Sequence, residues 1–373
     1  MLKLSSRQNA LQRGGESMAP KYQQVADALR TDILDGVYDK RMLLPTEQLL
    51  CQRFCVSRQT VRQALSVLAA EGMIERRQGS GSHILQTKAT LNPPRRTVAV
   101  ITTYISNYIF PSILREIETV LSANNSAPTL YATQNQISNE RRILQSLLDG
   151  DLPDGILVEG TKTGLPNPNL DLYRQLISRG VPMVFMHGIY PELSDCLSVL
   201  DDNYGGGRQL VEYLYKKGHR SISGIFKNDD LQGLQRYAGY AAALRDLGLP
   251  LEDQRVFWYN TESKEHLLSD NTYWEQAADV LHNCTAVVCY NDEIASRLVS
   301  LLLSQGVRIP DDVAVVSFDN SPYSELSILP ITSLSHGDYN VGRMAAELLV
   351  SLFNGHSGKS LLAPWTLVTR KTS

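Results

Sequence analysis

The chain has 373 residues, 43% of them hydrophobic and 20% charged, which is enough for two or three globular domains and excludes a disordered or collagen-like polymer. Its formal charge of −3 is unevenly distributed. Residues 1–96 hold 15 Lys and Arg against 8 Asp and Glu, so a head of +7 precedes a body of −10. This asymmetry predicts a polyanion-binding module joined to a different kind of domain. No apolar run is long enough to cross a bilayer, and five scattered cysteines indicate a reducing compartment, so we expect a cytoplasmic protein.

The first 17 residues are poor in acidic side chains and lack the apolar core of a secretory signal. Arg13-Gly14-Gly15-Glu16 can be encoded by AGAGGAGGTGAA, a purine-rich stretch typical of a ribosome-binding site, just upstream of Met18. We therefore expect residues 1–17 to be an untranslated or disordered extension, Met18 to be the true start, and the source to be bacterial.

Three helices are predicted in the head. Apolar residues spaced by three and four form one face of a helix over residues 22–35. Thr46 is placed to cap a second helix, where Glu47 in the first turn suits the helix dipole. Ser57 caps a third helix that ends at Gly72 and directs four apolar side chains inward, namely Val61, Ala64, Leu65 and Leu68. Two helices joined by so short a turn predict a helix-turn-helix.

A hairpin and a linker follow these helices. Residues 73–84 have short strand-like ends around the tip Gln78-Gly79-Ser80-Gly81, in which glycines supply positive φ. Residues 86–96 include Pro93-Pro94 and are predicted to be a linker.

The outward face of the third helix carries side chains that can read bases: Arg58, Gln59, Arg62, Gln63 and Ser66. An Arg can grip guanine O6 and N7 as a fork, and a Gln can do the same for adenine. Ser57 and Thr60 are suited to phosphates, and Lys21 lies just before the first helix. The alternative is a helix face that is merely solvated.

The segment from Leu44-Pro45-Thr46-Glu47 through the hairpin resembles the winged helix-turn-helix of GntR-family bacterial regulators, over about 65 unbroken residues. In that family, the counterparts of the following residues contact DNA, the last three as part of a wing that enters the minor groove: Glu47, Arg58, Gln59, Arg62, Gln78, Gly79, Ser80 and Gly81. The resemblance implies that residues 18–85 are a DNA-binding domain whose partner is double-stranded operator DNA.

From residue 97 onward, short β-branched runs alternate with amphipathic helical stretches. The predicted strands include residues 98–102, 129–133, 155–159, 182–186, 221–226, 255–259, 286–289 and 313–318. Such alternation predicts parallel sheets covered by helices. About ten strands over about 275 residues exceed one compact sheet, so residues 97–373 are expected to form an α/β body of two lobes with a ligand cleft between them.

A small polyol in such a cleft needs forked donors and acceptors for its hydroxyls and an aromatic surface for its C–H face. Arg236, Asn291 and Asp319 lie at or just after strand ends, where open α/β sheets bind ligands. Each has an alternative: Asp319 as a turn residue, Asn291 as a helix N-cap and Arg236 as a surface cation. Glu159 and His187 also follow strands and are weaker candidates.

Several segments of the body resemble the LacI-family periplasmic-binding-like domain, namely residues 98–118, 198–221, 235–240, 290–293, 309–313 and 317–321. In that family, the positions of Arg236, Asn291 and Asp319 bind the effector, and Tyr104 and Phe110 match places beside the cleft. The linker departs from the family because it lacks the usual hinge-helix sequence.

His336 occupies a place where the LacI family often has Gln, so it is either a ligand contact or an ordinary residue of a crossover strand. The combination of a GntR-type head with a LacI-type body resembles the AraR-type arabinose repressors. The same resemblance extends to Glu159-Gly160-Thr161-Lys162 and Leu165-Pro166-Asn167-Pro168-Asn169. This resemblance implies a homodimeric repressor of sugar-utilisation genes that leaves its operator when L-arabinose binds the cleft. We expect no enzyme activity, no cofactor, no metal and no membrane partner.

Three alternatives stay open at this point. The same architecture would serve another sugar, a purine or another metabolite, because a pentose and a hexose require similar side chains. Some GntR-type heads carry an aminotransferase-like body, which needs a Schiff-base lysine, and Lys227 is the lysine of the body nearest a strand end. The sequence does not distinguish a repressor from an activator.

Overall fold

The computed structural model describes residues 20–34, 37–38, 43–77, 80–85, 95–270, 274, 281 and 284–373. The chain divides into two compact units, Met1–Arg95 and Arg96–Ser373, and each is described by itself. Residues 1–17 and 86–94, which hold the predicted extension and most of the predicted linker, lie outside the described residues.

The described part of the first unit contains three helices and a hairpin: α1 (Lys21–Leu34), α2 (Glu47–Phe54), α3 (Arg58–Ala70), β1 (Ile74–Arg77) and β2 (Gly81–Ile84). Thr46 and Ser57 cap α2 and α3, as the sequence predicts, and each such cap contributes about 1 kcal/mol to helix stability. Cys55 adopts a left-handed conformation at the end of α2, so the chain turns within three residues into α3. The four inward side chains predicted for α3 are all buried in the core of this unit.

The second unit contains two six-stranded sheets. The first has the order β13-β7-β6-β5-β3-β4 with every neighbouring pair parallel, and comprises β3 (Arg96–Thr102), β4 (Ser126–Ala132), β5 (Gly155–Val158), β6 (Met183–Met186), β7 (Leu197–Asp201) and β13 (Leu361–Ala363). The second has the order β14-β12-β11-β10-β8-β9 and is parallel except for β14, and comprises β8 (Ile222–Lys227), β9 (Val256–Tyr259), β10 (Ala286–Cys289), β11 (Ala314–Phe318), β12 (Thr332–Ser335) and β14 (Thr366–Val368).

Helices cover both faces of each sheet. They are α4 (Phe110–Ala123), α5 (Ile137–Asp149), α6 (Leu170–Ser178), α7 (Asn203–Lys216), α8 (Leu231–Asp246), α9 (Lys264–Ser269), α10 (Asp292–Ser304), α11 (Pro322–Leu326) and α12 (Val341–Phe353), with short 3₁₀ helices at Pro191–Leu193 and Asp253–Arg255. We call the first sheet with α4, α5, α6 and α12 lobe 1, and the second sheet with α7 to α11 lobe 2. The chain crosses between the lobes near residues 202, 337 and 364.

Burial on both faces explains the sequence of the strands. In β3, Val98 and Val100 enter one apolar cluster while Ala99 and Ile101 enter another on the opposite face. Strands buried in this way are continuous apolar runs, and they are typical of parallel sheets between helices. The predicted α/β body with two lobes is therefore confirmed. Among the described helices, none combines the length and apolarity needed to cross a membrane.

The strand β12 was not among the predicted strands because its sequence lacks an apolar signal. Three of its four residues are Thr332, Ser333 and Ser335, yet the first two are fully buried. Their polar groups are satisfied inside the fold: the Thr332 amide donates to Thr372 Oγ1 at 2.9 Å, and Ser333 Oγ accepts from the Asn320 amide at 3.0 Å. Asn320 follows β11 and Thr372 follows β14, so these partners reach β12 only in the folded chain.

Candidate DNA-binding face and effector pocket

The outward face of α3 presents the side chains predicted to read bases. Arg58, Gln59 and Arg62 are exposed, as are Gln63 and Ser66. The cap at the start of the helix fixes the two hydroxyl residues predicted to meet phosphates, because Ser57 Oγ accepts from the Thr60 amide at 3.2 Å and lies 2.9 Å from Thr60 Oγ1. Lys21 is exposed at the first residue of α1.

A single carboxylate orders the arginines of this face. Glu47 accepts from Arg58 Nε at 2.9 Å, from Arg62 Nε at 3.0 Å and from Arg76 Nη2 at 3.2 Å. The hydrogen bond from Arg58, followed by that from Arg62, lowers the pKa of Glu47. The carboxylate therefore stays charged and holds two guanidinium groups of α3 beside one from β1. Arg76 was missed in the sequence, where the pair Arg76-Arg77 on a predicted strand was the available signal.

The hairpin is described at its strands and at part of its tip. Ser80 Oγ lies 2.9 Å from His83 Nε2, and Gly81 has φ of +92°, a conformation that favours glycine, as predicted. The predicted DNA contacts Gln78 and Gly79 lie outside the described residues. The hairpin strands pair in antiparallel register from Ile74 with Ile84 onward.

A pocket opens within the second unit at the carboxyl ends of the parallel strands of both sheets, where open α/β sheets bind ligands. The space between its walls is about 840 Å³, and this figure includes open solvent at its mouth. The lining includes six of the eight residues predicted to bind the effector, namely Tyr104, Phe110, Glu159, His187, Asn291 and Asp319.

On the lobe 1 side, the pocket offers a carboxylate beside aromatic rings. Glu159 follows β5 and accepts from the amide and the hydroxyl of Thr103 at 2.8 and 2.7 Å. Burial raises the pKa of Glu159, while Thr103 and the nearby His187 oppose that rise. Tyr104 and Phe110 contact each other edge to face, with their centroids 5.8 Å apart. This side can therefore accept hydrogen bonds from hydroxyls and pack against C–H groups.

His187 directs one ring nitrogen towards a carboxylate and leaves the other for the pocket. Its Nδ1 lies 2.9 Å from Asp201 Oδ2, and its Nε2 is buried without a hydrogen-bond partner among the residues that the structure describes. Burial by itself would lower the pKa of His187, but the Asp201 carboxylate raises it to about 9. At neutral pH, the Nε2–H group is therefore a buried donor that a ligand oxygen would satisfy.

On the lobe 2 side, Asp319 stands on a strained turn after β11, with φ of +92°. It accepts from Arg236 Nη2 at 3.0 Å and from the Tyr108 hydroxyl at 2.7 Å. Asn291 caps α10 by accepting from the Ile294 amide at 3.1 Å, as the cap alternative predicts, and it also lines the pocket.

Arg236 and His336 are placed behind the pocket wall instead of among its lining residues, and Arg236 lies within α8 instead of at the predicted strand end. Arg236 is 1% exposed, so the surface-cation alternative is wrong, and its guanidinium also donates to Asn203 Oδ1 at 2.9 Å. His336 stacks on Trp365 with ring centroids 3.7 Å apart, and its Nε2 lies 2.8 Å from Asp201 Oδ1. These two residues support the lining residues Asp319 and His187.

The sequence missed several lining residues. Lys227 is the last residue of β8 and Asp230 follows it, a signal that was available. Lys227 Nζ lies 2.9 Å from both Asp229 Oδ1 and Asp230 Oδ2. Although burial lowers the pKa of Lys227, the two carboxylates raise it above its usual value. A Schiff-base lysine must lose its proton to react, so this environment contradicts the aminotransferase-like alternative.

Tyr108 was also missed, and no local signal would have found it. It lies in the loop before α4 of lobe 1 with φ of +58°, and its hydroxyl reaches Asp319 and the Asp292 amide of lobe 2. This contact joins residues 211 positions apart, so only the tertiary structure shows it.

Comparison with known proteins agrees with both units. Residues 21–84 match the family of bacterial regulatory proteins called the gntR family, and residues 211–373 match the periplasmic binding protein-like domain. The arabinose metabolism transcriptional repressor of Halalkalibacterium halodurans is 36% identical over 338 residues, which cover 90% of this chain and 89% of that protein. The protein of the same name from Geobacillus stearothermophilus is 32% identical over 370 residues, which cover 96% and 99%.

Among solved structures, the transcription regulator CcpA of Lactococcus lactis is similar with a TM-score of 0.64 at 23% identity, over 74% of this chain and 99% of that one. This likeness shows the fold. The two repressors, in contrast, are more than 30% identical along nearly the whole chain, which confirms the predicted resemblance. The chain belongs to the family of arabinose metabolism transcriptional repressors, with a gntR-type head and a periplasmic-binding-protein-like body.

Proposed function

We propose that this protein represses genes of L-arabinose utilisation and leaves its operator DNA when L-arabinose occupies the pocket of the second unit. Two features of the pocket favour a neutral sugar as the ligand: its charged side chains are paired with each other, and the Nε2–H group of His187 is a buried donor. The names of the two relatives support arabinose as the sugar.

The charged groups of the pocket favour a neutral ligand. Lys227 is paired with Asp229 and Asp230, and Lys264 Nζ lies 2.5 Å from Glu293 Oε2. A phosphorylated or acidic sugar would bring a negative charge to a site whose lysines are already neutralised, and burying an unpaired charge is costly. A neutral polyol requires only the available donors and acceptors, which this lining supplies.

The head supplies DNA recognition in this proposal. Residues 18–88 have 10 Lys and Arg against 7 Asp and Glu, a charge of only +3. Phosphate attraction from one such head is weak, so base contacts by Arg58, Gln59 and Arg62 and a second head on the same operator must supply much of the affinity. The protein would act in the cytoplasm, on double-stranded DNA.

A homodimer would bring two heads to one operator. We place its interface on lobe 2 at α11 and the turn after it, where Leu326 is 84% exposed and Ile328 is 76% exposed, with Tyr323 beside them. Apolar side chains that are this exposed and this close together are typical of association surfaces. A second copy of the chain is the proposed occupant.

Linkage fixes what induction by sugar must look like. If the sugar weakens DNA binding, then DNA weakens sugar binding by the same factor, which is about 1 to 3 kcal/mol of coupling in typical allosteric proteins. If operator DNA leaves the affinity for a sugar unchanged, that sugar cannot weaken operator binding and is not the inducer.

The test begins with ligand identity. The full chain is titrated calorimetrically with L-arabinose, D-xylose, D-galactose, adenine and L-arabinose 5-phosphate, and the L-arabinose titration is repeated with operator DNA bound. We expect L-arabinose to bind most tightly and L-arabinose 5-phosphate not to bind. Operator DNA should weaken the binding of L-arabinose by about tenfold. Preferential binding of adenine would make the protein a purine sensor, and equal L-arabinose affinity with and without operator would contradict induction.

A further inference from the structure

Residues 159–169, which we call the clasp loop, leave β5 of lobe 1 and contact lobe 2 beside the pocket. Thr163 Oγ1 accepts from the Leu231 amide at 3.0 Å, at the start of α8. The Gly164 amide donates to the Asp229 carbonyl at 3.3 Å. These bonds involve backbone groups of lobe 2, so they form only when the clasp loop and the end of β8 are close together.

Lys162 extends this connection along the rim of the pocket. Its side chain forms an ion pair with Glu262 of lobe 2, and its amide donates to Asn135 Oδ1 at 2.9 Å. Asn135 in turn donates to Thr261 Oγ1 at 2.5 Å, again across the lobes. Lys162 has φ of +46°, so the clasp loop is held in an unfavourable backbone conformation at this contact.

One fully buried carboxylate, Glu140 on α5, lies beneath the clasp loop. Five donors converge on its two oxygens: Thr161 N at 3.3 Å, Tyr173 Oη at 2.8 Å and Tyr190 Oη at 2.7 Å to Oε1, and Asn167 Nδ2 at 2.7 Å and Asn169 Nδ2 at 2.8 Å to Oε2. The carboxylate thus connects three residues of the clasp loop with the two tyrosines that flank it.

The donors around Glu140 are all uncharged. In the part of the chain that the structure describes, they are one backbone amide, two tyrosine hydroxyls and two asparagine side chains, and none is a Lys or Arg side chain. Burying a carboxylate without a cation is costly unless its lone pairs are filled, so the clasp loop must keep this shape for Glu140 to be tolerated. Pro166 and Pro168 alternate with Asn167 and Asn169, and their fixed φ angles restrict the loop further.

We propose that Glu140 is a positioning residue of the effector site, which holds the clasp loop in the shape that both lines the pocket and joins the lobes. Glu159, Gly160 and Thr163 of the clasp loop line the pocket, whereas Glu140 does not. Glu140 therefore acts on the ligand through the clasp loop. The identity of the sugar in the test rests on the proposed function, but the role of Glu140 in holding the lobes together does not.

The experiment uses the full chain with Glu140→Gln, which keeps the side-chain shape but turns an amide NH₂ group towards surrounding donors. Tyr173→Phe is the matched control, because it removes one donor from α6 and leaves the three donors of the clasp loop in place. Amide hydrogen exchange is followed by mass spectrometry over residues 160–169, 228–232 and 110–123, and L-arabinose binding is measured by calorimetry.

We expect Glu140→Gln to speed amide exchange about tenfold in residues 160–169 and 228–232 and to leave residues 110–123 of α4 at the wild-type rate. The variant should also bind L-arabinose about tenfold more weakly. Tyr173→Phe should change each quantity less than threefold. If Glu140→Gln does not give folded protein, Asn167→Leu removes one donor of the clasp loop and carries the same expectation.

Wild-type exchange in residues 160–169 and 228–232, or faster exchange spread equally over α4, would show that Glu140 only stabilises lobe 1 and would overturn the proposal. Unchanged L-arabinose affinity in Glu140→Gln would overturn it as well. If the wild-type chain binds no L-arabinose, the proposed function fails, and the exchange rates alone then decide the role of Glu140.

Discussion

Raising the pH from 6 to 10 should remove most of the stability that the pairing of His187 with Asp201 gives to the second unit. Both groups are buried, with His187 Nδ1 2.9 Å from Asp201 Oδ2. The surrounding carboxylates raise the pKa of His187 to about 9 in the fold, against 6.5 for the free side chain. The folded state therefore binds this proton more tightly than the unfolded state does.

The sign follows from proton linkage. A histidine whose pKa is raised by folding gives its full stabilisation below about pH 6.5, and this stabilisation is lost as the pH rises through about 9. With about 1.4 kcal/mol for each pKa unit, the contribution is about 3 kcal/mol at pH 6, about 2 kcal/mol at pH 7.5 and close to zero at pH 10. Asp201 shares this interaction, so its lowered pKa is not counted again.

Tryptophan fluorescence reports on the unfolding of the second unit alone. The three tryptophans, Trp258, Trp274 and Trp365, all lie in the second unit, so urea unfolding followed by their emission does not report on the head. The assay compares the free energy of unfolding of the wild type and His187→Gln at pH 6, 7.5 and 10. Titrating groups that do not interact with His187 affect both proteins equally, so the difference between the two curves reports on His187 and the carboxylates that face it.

We expect the free energy of unfolding of the wild type to be higher than that of His187→Gln, and this difference should be about 3 kcal/mol larger at pH 6 than at pH 10. A difference that stays constant from pH 6 to pH 10 would show that His187 is not protonated in the fold, and would refute the reasoning about its Nε2–H donor. A Tyr131→Phe variant is a useful control because Tyr131 packs against an apolar cluster of lobe 1 to which neither His187 nor Asp201 belongs, so the variant should show no such trend.

Three further predictions concern the two sites. Arg58→Ala should reduce the preference for operator over random DNA, whereas Lys21→Ala should weaken both and lower the salt slope by about one, as measured by fluorescence anisotropy; equal losses on both DNAs for Arg58→Ala would contradict base reading. Glu47→Gln should strengthen binding to random DNA while reducing operator preference, since three arginines lose their common anchor; unchanged preference would exclude that role. Asp319→Asn should weaken L-arabinose binding more than tenfold. It should also lower the free energy of unfolding of the second unit in urea by about 3 kcal/mol, because Arg236 stays buried without its carboxylate. Wild-type affinity and stability would show that the pair of Asp319 and Arg236 contributes to neither.

The sequence predicted the parts of the molecule that depend on local periodicity. The inward face of α3 and its Ser57 cap follow from helical spacing and one side chain, and both are found in the fold. Asn291, Glu159 and His187 follow from the rule that ligands bind at the carboxyl ends of parallel strands. These predictions needed no knowledge of which segments meet.

Long-range contacts were beyond such reasoning. Glu47 meets Arg76 across 29 residues, and Tyr108 meets Asp319 across 211, so neither contact has a periodic signal. The sequence placed Arg236 at or just after a strand end, but it lies within α8, and its guanidinium is buried behind Asp319. Polar strands such as β12 were missed for the related reason that their hydroxyl partners come from distant segments.

The position of His336 explains why a residue outside the pocket belongs to the same site. Asp201, His336 and Trp365 each lie at or beside one of the three crossings between the lobes, and His336 contacts both of the others. Asp201 also holds His187, whose free nitrogen faces the pocket. A ligand oxygen that binds His187 therefore acts on a carboxylate that lies at one crossing and contacts a second crossing through His336. A ligand shifts a conformational equilibrium only through such differential contacts, so these crossings are where the preference of the sugar for one lobe arrangement is expected to be set.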